Sequence, residues 1–275
     1  MEYLNLNDPA KLKAAATYDS ASDHFDDIPL AFWSVYGRRT VERLALTAGA
    51  TLLDVGCGSG ASAIPAAEKV GAEGHVLGVD LAAKLLDLAR EKAARHHLNN
   101  ITFRLGDMTA LGFPDANFDA IISVFSIFFV PEMDAAIREL WRMVKPGGSL
   151  AITTWGPDFF APVYAVWREA VRMERPDLYS AFNPWDRITS PDALDELLRS
   201  CGIKDTQITL ESGNQPLRAP QDWWTIVLGS GLRGTVDAMD AEMAQRIQEQ
   251  TVGWIRDHGV YAIQTNVIYA IAHKA

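Results

Sequence analysis

Between Leu52 and Gly60 the chain reads Leu-Leu-Asp-Val-Gly-Cys-Gly-Ser-Gly, an apolar strand delivered into a glycine-rich turn that opens a helix. The chemistry such a turn supports is the binding of a nucleotide-type cofactor. Gly56, Gly58 and Gly60 suit it because a tight strand-to-helix turn needs positive φ, and a side chain there would hold the ligand away from the backbone. The spacing Gly56-x-Gly58-x-x-Ala61 also satisfies the dinucleotide fingerprint. Asp80 follows about 20 residues beyond the turn, closing the apolar run His75–Val79, where such folds bind ribose hydroxyls. Either a dinucleotide or another nucleoside cofactor satisfies both features.

Three further runs narrow the choice: Arg104-Leu105-Gly106-Asp107-Met108, Asn117-Phe118-Asp119-Ala120-Ile121-Ile122-Ser123, and Val144-Lys145-Pro146-Gly147-Gly148-Ser149-Leu150. With the glycine turn they resemble the class I S-adenosylmethionine (SAM) dependent methyltransferases, in the ubiquinone/menaquinone-biosynthesis-type branch. The resemblance runs from Thr51 to Trp155 and returns in the last strand pair. It implies SAM as cofactor, with the methionine half along Gly56, Gly58 and Gly60 and both ribose hydroxyls on Asp80. By the same resemblance Asp107 meets the adenine amino group, Met108 packs on the ring, Leu81 covers its other face, and Asp54 supports the turn and the cofactor's ammonium side. Ser123, at the end of the fourth strand, completes the implied cofactor set.

The residue types agree with that chemistry. SAM has no pyrophosphate, and none of the residues from Leu53 to Ala67 is basic. A sulfonium cation favours carboxylate, carbonyl and aromatic surroundings. Two other readings stand beside this one. A nicotinamide-dependent dehydrogenase would use the same turn, although the Gly-Asp-Met and Pro-Gly-Gly runs weigh against it. A SAM-binding protein that no longer transfers methyl groups, acting as a partner subunit or a cofactor-assisted pocket, would show the same cofactor residues.

The formal charge of −10 makes a nucleic-acid partner unexpected, because an acidic surface repels phosphate backbones. Cys57 and Cys201 are the two cysteines of the chain, and they supply neither a disulfide framework nor a zinc spacing, so no metal is expected. A reducing cytoplasm is the expected compartment. Met1-Glu2-Tyr3-Leu4 has no basic region and no long apolar core, so no signal peptide is expected. The most apolar run, Ala120–Val130, is too short to span a bilayer. A homodimer is left open.

Alternating apolar and helical runs predict an α/β fold: a Rossmann-like, seven-stranded, mostly parallel sheet with an antiparallel last strand beside the fifth. Strands are expected at 51–55, 76–79, 101–105, 118–123, 149–154, 205–211 and 264–273, and core helices at 61–70, 83–97 and 133–144. Residues 1–50 are expected to form an N-terminal helical lid, 51–155 the SAM-binding core, and 156–275 substrate-pocket insertions plus the last two strands. Asp8-Pro9 suits a helix start. Phe32, Val35, Tyr36, Val41, Leu44 and Leu46 supply the apolar positions of a second helix. Between them the polar run Tyr18–Asp27 resembles a lid segment, which brings forward Tyr18, to order the lid, and His24, as a general base.

The acceptor must approach from the carboxyl ends of the strands. Phe125, Phe128 and Phe129 after the fourth strand, Trp155 after the fifth, and Trp223 and Trp224 in the second insertion are the candidate wall. That inventory favours a small lipophilic or aromatic acceptor, methylated on oxygen or carbon. Asp80 is expected to face the surface at a strand end, carrying little packing.

Overall fold

The computed structural model describes residues 8–275. Met1–Leu4, read above for a leader, and Asn7 lie outside the described residues. Two helices come first, α1 (Pro9–Ala21) and α2 (Phe32–Arg43). The core then alternates through β1 (Thr51–Val55), α3 (Ala63–Val70), β2 (His75–Asp80), α4 (Ala83–Arg95), β3 (Ile101–Leu105), β4 (Phe118–Val124), α5 (Met133–Met143) and β5 (Val144–Trp155). After it come α6 (Val163–Glu174), α7 (Pro191–Ser200), β6 (Thr206–Glu211), β7 (Asn214–Pro216), α8 (Asp222–Leu228), α9 (Arg233–Val236), α10 (Ala241–Asp257), β8 (Ala262–Gln264) and β9 (Val267–His273).

The seven strands of the main sheet run in the order β3-β2-β1-β4-β5-β9-β6, with β9 antiparallel to both its neighbours. The expected fold class is therefore the observed one. Central strands read as unbroken apolar runs because helices cover both faces: Leu52, Leu53 and Val55 of β1 and Ala120, Ile121 and Ile122 of β4 are all essentially excluded from water. β1 pairs with β2 on one side and β4 on the other, so the order reverses there, and a crevice opens beyond the carboxyl ends of these strands.

Three details depart from the expected elements. The last strand is broken: Ala262–Gln264 pairs with Asn214–Pro216 in a separate two-stranded sheet, and Thr265 and Asn266 turn the chain before β9. The Tyr36 hydroxyl donates to Thr265 O at 2.8 Å and so fixes this break against α2. The strand after α5 begins at Val144, which pairs with Phe118, and its register jumps to Ser149 across the Pro-Gly-Gly turn, where Gly147 adopts φ +76°. Finally, α1 runs on through Tyr18 to Ala21, so Tyr18 sits on a helix and only residues 22–27 form the connecting turn.

Helix α1 starts as the sequence predicts, with Asp8 accepting the Ala10 amide at 2.9 Å ahead of Pro9. It has no apolar stripe and buries only Thr17 and Ala21. Polar contacts hold it, together with Tyr18, which packs edge-on against Phe25 and Phe129. Asp19 accepts the Lys84 amide at 2.9 Å, capping α4 from another helix where Ala82, at the cap position, has no side chain to offer. Helix α2 is held differently, by direct backbone approach: a Cβ on Gly37 would lie 2.5 Å from the carbonyl carbon of Ala61. Gly37→Ala raises local helix propensity, yet it is expected to lower the unfolding free energy by about 1–3 kcal/mol, because backbone cannot yield as a side chain does. Urea denaturation measures this, and an unchanged midpoint would contradict the packing described.

Candidate active site

The cleft forms where β1, β2, β3 and β4 end. Gly56 leaves β1 with φ +67°, and a Cβ there would fall 2.3 Å from Ser126 Cβ, so the glycine turn and the loop after β4 touch through a residue that has no side chain. Gly56, Cys57 and Gly58 line the cleft. Gly60 does not: it turns away, its α-carbon facing Ile64 and Ala89, which makes it a packing glycine and corrects its assignment to the cofactor wall.

Asp80, at the end of β2, lines the cleft and is also a structural anchor. Its Oδ2 accepts the Gly58 amide and its Oδ1 accepts the Ala82 amide, both at 2.8 Å. Each oxygen keeps a second lone pair for a ligand hydroxyl. Burial pushes its carboxyl pKa up, against the lowering effect of these amides. The expectation of a surface carboxylate with little structural duty is thus corrected, because removing the side chain also frees the turn.

Asp107 lies after the neighbouring strand β3, beside Gly106, whose amide donates to Asp80 O at 2.9 Å, and Met108. Its Oδ1 accepts from both the amide and the hydroxyl of Thr109 at 2.8 Å, and Lys11 of α1 donates to Oδ2 at 2.5 Å. Burial alone would raise this carboxyl, but the Lys11 and Thr109 bonds outweigh it and hold the group below the usual carboxylate range. Leu81 and Met108 both line the space between the two aspartates.

Asp54 is fully buried behind the turn and is absent from the cleft surface. Its Oδ2 accepts the Ser62 hydroxyl at 2.6 Å, whereas Oδ1 has no partner. Burial lifts its pKa to about 7. Ser123 is likewise behind the wall, its hydroxyl 2.7 Å from that of Ser126. Of this pair Ser126 is the serine that reaches the cleft, where Ser123 was expected, and it donates to Val55 O at 2.8 Å.

From the N-terminal helices come Lys11, Tyr18 and Trp33, and from the turn between them Phe25. The Tyr18 phenol is pushed far up, first by burial and then by the nearby Asp80 charge, and so stays neutral. His24 lies outside the lining, with Nδ1 2.9 Å from Asp27 Oδ2 on the 22–27 turn. The geometry gives it no access to the cleft, and the reading of His24 as a base is withdrawn.

An aromatic cluster adjoins the cleft. Phe125 stacks on Trp155 with ring centroids 4.1 Å apart, and Trp33, Phe159 and Phe160 meet Trp155 nearly edge-on. Phe125, Phe128, Phe129 and Trp155 line a small cavity here, together with Trp185 and Tyr18. Beyond Tyr18 and Phe129 a larger chamber of about 350 Å³ opens between α1, α6 and the 178–185 segment. The tryptophan pair of α8 does not take part. Trp223 is fully buried against Phe160, and Trp224 lines a separate groove with Gln221 and Val252. Adjacent helix positions point some 100° apart, so the two could not share one wall.

The residues present fit a sulfonium nucleoside. Two carboxylates, Asp80 and Asp107, line the cleft from neighbouring strand ends, an orphaned carboxylate oxygen sits behind the glycine turn, and the turn carries no basic side chain. Comparison with known proteins agrees. Residues 52–148 match the family model described as "Methyltransferase domain". Aklanonic acid methyltransferase DauC from Streptomyces sp. (strain C5) is 31% identical over 204 residues, covering 70% of this chain and 92% of the relative. Demethylmenaquinone methyltransferase from Listeria monocytogenes serotype 4a (strain HCC23) is 37% identical over 114 residues, 42% of this chain and 48% of the relative. The YcgJ protein of Bacillus subtilis shares the fold at TM-score 0.58 with 18% identity, covering 87% of this chain and 98% of that one. The chain belongs to the SAM-dependent methyltransferases.

Two substitutions test the site. Asp80→Asn keeps one acceptor for the turn but loses the charge and one acceptor oxygen, and calorimetry with S-adenosylhomocysteine should show affinity reduced about tenfold or more. Undiminished heats would remove Asp80 from the cofactor. For Asp54 the folded pKa of about 7 lies above the usual unfolded carboxylate value, so the folded state binds the proton more tightly. Stability from this group is full below about pH 4 and is lost as pH rises toward about 7. Between about pH 5 and pH 8 the wild type should therefore lose unfolding free energy relative to Asp54→Asn. A pH-independent difference would refute the burial argument.

Proposed function

We propose that this methyltransferase transfers the methyl group of SAM to an oxygen or carbon of a small, lipophilic, aromatic acceptor held in the cavities beside the cleft. One observation carries the reading: the cleft, the small aromatic cavity and the larger chamber share Tyr18 and Phe129 as common walls, so acceptor and donor meet across two side chains. Relatives named for aklanonic acid and demethylmenaquinone support an acceptor of this kind.

SAM supplies an electrophilic methyl on positively charged sulfur, so the leaving group needs no activation by the protein. The chain's own task is alignment and exclusion of water. In the proposed arrangement Asp80 holds the ribose, and Asp107 and Met108 place the adenine. The methionine half lies along Gly56 and Gly58 over Asp54, with Ser126 taking the position earlier given to Ser123. Helix α1 closes over these groups through Lys11 and Tyr18. The aromatic cluster of Phe125, Phe128, Phe129 and Trp155 presents the acceptor edge to the methyl and keeps the junction dry. Tyr18, neutral throughout the working range, orders the lid and donates a hydrogen bond.

Incubation with labelled SAM and a panel of phenols and quinol precursors, followed by mass detection, should yield a methylated product. Trp185→Ala, which alters only the acceptor side, should raise acceptor KM about tenfold or more while S-adenosylhomocysteine affinity stays within about twofold. Tight cofactor binding with no product from any acceptor would favour the cofactor-assisted pocket over methyl transfer.

A further inference from the structure

The chamber of about 350 Å³ differs in charge from the rest of the molecule. The chain has 35 acidic and 25 basic residues, yet the described residues of this wall include Lys13 and Arg168 and no aspartate or glutamate. Arg168 has no carboxylate partner among the described residues. Its Nη2 donates to Tyr179 Oη and Ser180 O, each at 2.9 Å, and its guanidinium lies 5.0 Å from the Tyr179 ring centre and 5.7 Å from that of Tyr164. Its Nε is buried without a hydrogen-bond partner. One turn further along α6, by contrast, Arg172 forms a two-point pair with Glu169.

Two more donors in the same wall lack a partner. Trp167 and Trp185 are both more than nine-tenths buried, and the indole N–H of each is unpartnered. Buried donors are normally satisfied, because an unmet one carries the full cost of its lost hydration. These three donors are sealed inside the packing of the wall, whereas Arg168 Nη1 makes no hydrogen bond among the described residues and is not buried, which leaves one edge of an arginine without a counter-charge open to an acceptor. A guanidinium stacked on aromatic rings is also pre-arranged for two-point recognition of a planar anion.

We propose that Arg168 is the specificity-determining residue of the acceptor chamber, and that the acceptor is a flat aromatic molecule bearing an anionic oxygen group, a carboxylate. The rings lie among Tyr164, Trp167, Trp185 and Phe129. Arg168 anchors the anion through its free Nη1 edge, and the indole faces supply stacking surface to the rings. This deepens the function proposed above and rests on its assignment of the chamber to the acceptor. Since the anchored group is held by a cation that would blunt its nucleophilicity, it serves binding, and a different oxygen or carbon of the molecule meets the methyl.

The test uses the full chain saturated with S-adenosylhomocysteine and two probes of one shape, anthraquinone-2-carboxylate and anthraquinone-2-carboxamide, titrated by calorimetry. Wild type should bind the carboxylate about tenfold or more tighter than the carboxamide. Arg168→Leu should abolish that preference and Arg168→Lys should restore part of it, with S-adenosylhomocysteine affinity unchanged as proof of folding. If Arg168 only pins the 178–185 segment through Tyr179 and Ser180, Arg168→Leu weakens both probes together and the preference ratio stays put, which overturns the proposal. Equal affinity of the two probes in wild type overturns it as well, while leaving the aromatic chamber as the acceptor site. Binding of neither probe, with the cofactor product bound, overturns the chamber assignment and this proposal with it.

Discussion

The carboxylate of Asp80 ties the end of β2 to the turn after β1, and the geometry of the cleft follows from that tie. By accepting the Gly58 amide it sets the path of the chain between strand and helix, and by accepting the Ala82 amide it sets the start of α4. A turn that needs left-handed backbone at Gly56 and Gly58 is cheap only for glycine, and it persists because a neighbouring strand end holds its N–H groups. The same carboxylate keeps lone pairs free. Structural support therefore comes from a side chain that also lines the cleft, and burial places its bonds in a low-dielectric pocket where hydrogen bonds are strong.

Around this anchor the chain uses two kinds of cover. The core side is apolar and closed, with α2 pressed backbone-to-backbone on the exit of the glycine turn. The N-terminal side is polar and separable: α1 has no apolar stripe and holds on through Lys11 to Asp107, Asp19 to the Lys84 amide, and the ion pair between Asp23 in the following turn and Arg233. Tyr18 is the aromatic exception on this helix, meeting Phe25 and Phe129 edge-on where α1 covers the cleft.

The chamber beside the cleft is built from α1, α6, the 178–185 segment and the chain around Gly231–Thr235, most of it outside the sheet core. Its polarity runs opposite to the protein's net charge, which gives the chamber a chemical preference that the overall composition conceals. Averages over a whole chain describe its solubility and long-range field, whereas recognition depends on the few groups that share one cavity.

Positions that depend on local backbone were legible in the sequence, although the roles of those residues were not. The glycine turn, Asp80, Asp107 with Met108, the strand order's alternating pattern and the Asp8-Pro9 helix start all declare themselves within a few positions, because φ preference, capping and apolar periodicity act over one or two turns. Tertiary approach decided the rest. It placed Ser126 instead of Ser123 at the cleft, brought Lys11 onto Asp107 from 96 positions away, left His24 on an outer turn, and sent Trp223 into the core. It also broke the last strand at Thr265 and gathered the donors of α6 and the 178–185 segment into one wall. Spacing along a chain reports which side chains share an element, but which elements face one another follows from how the whole core packs, and no local pattern encodes that.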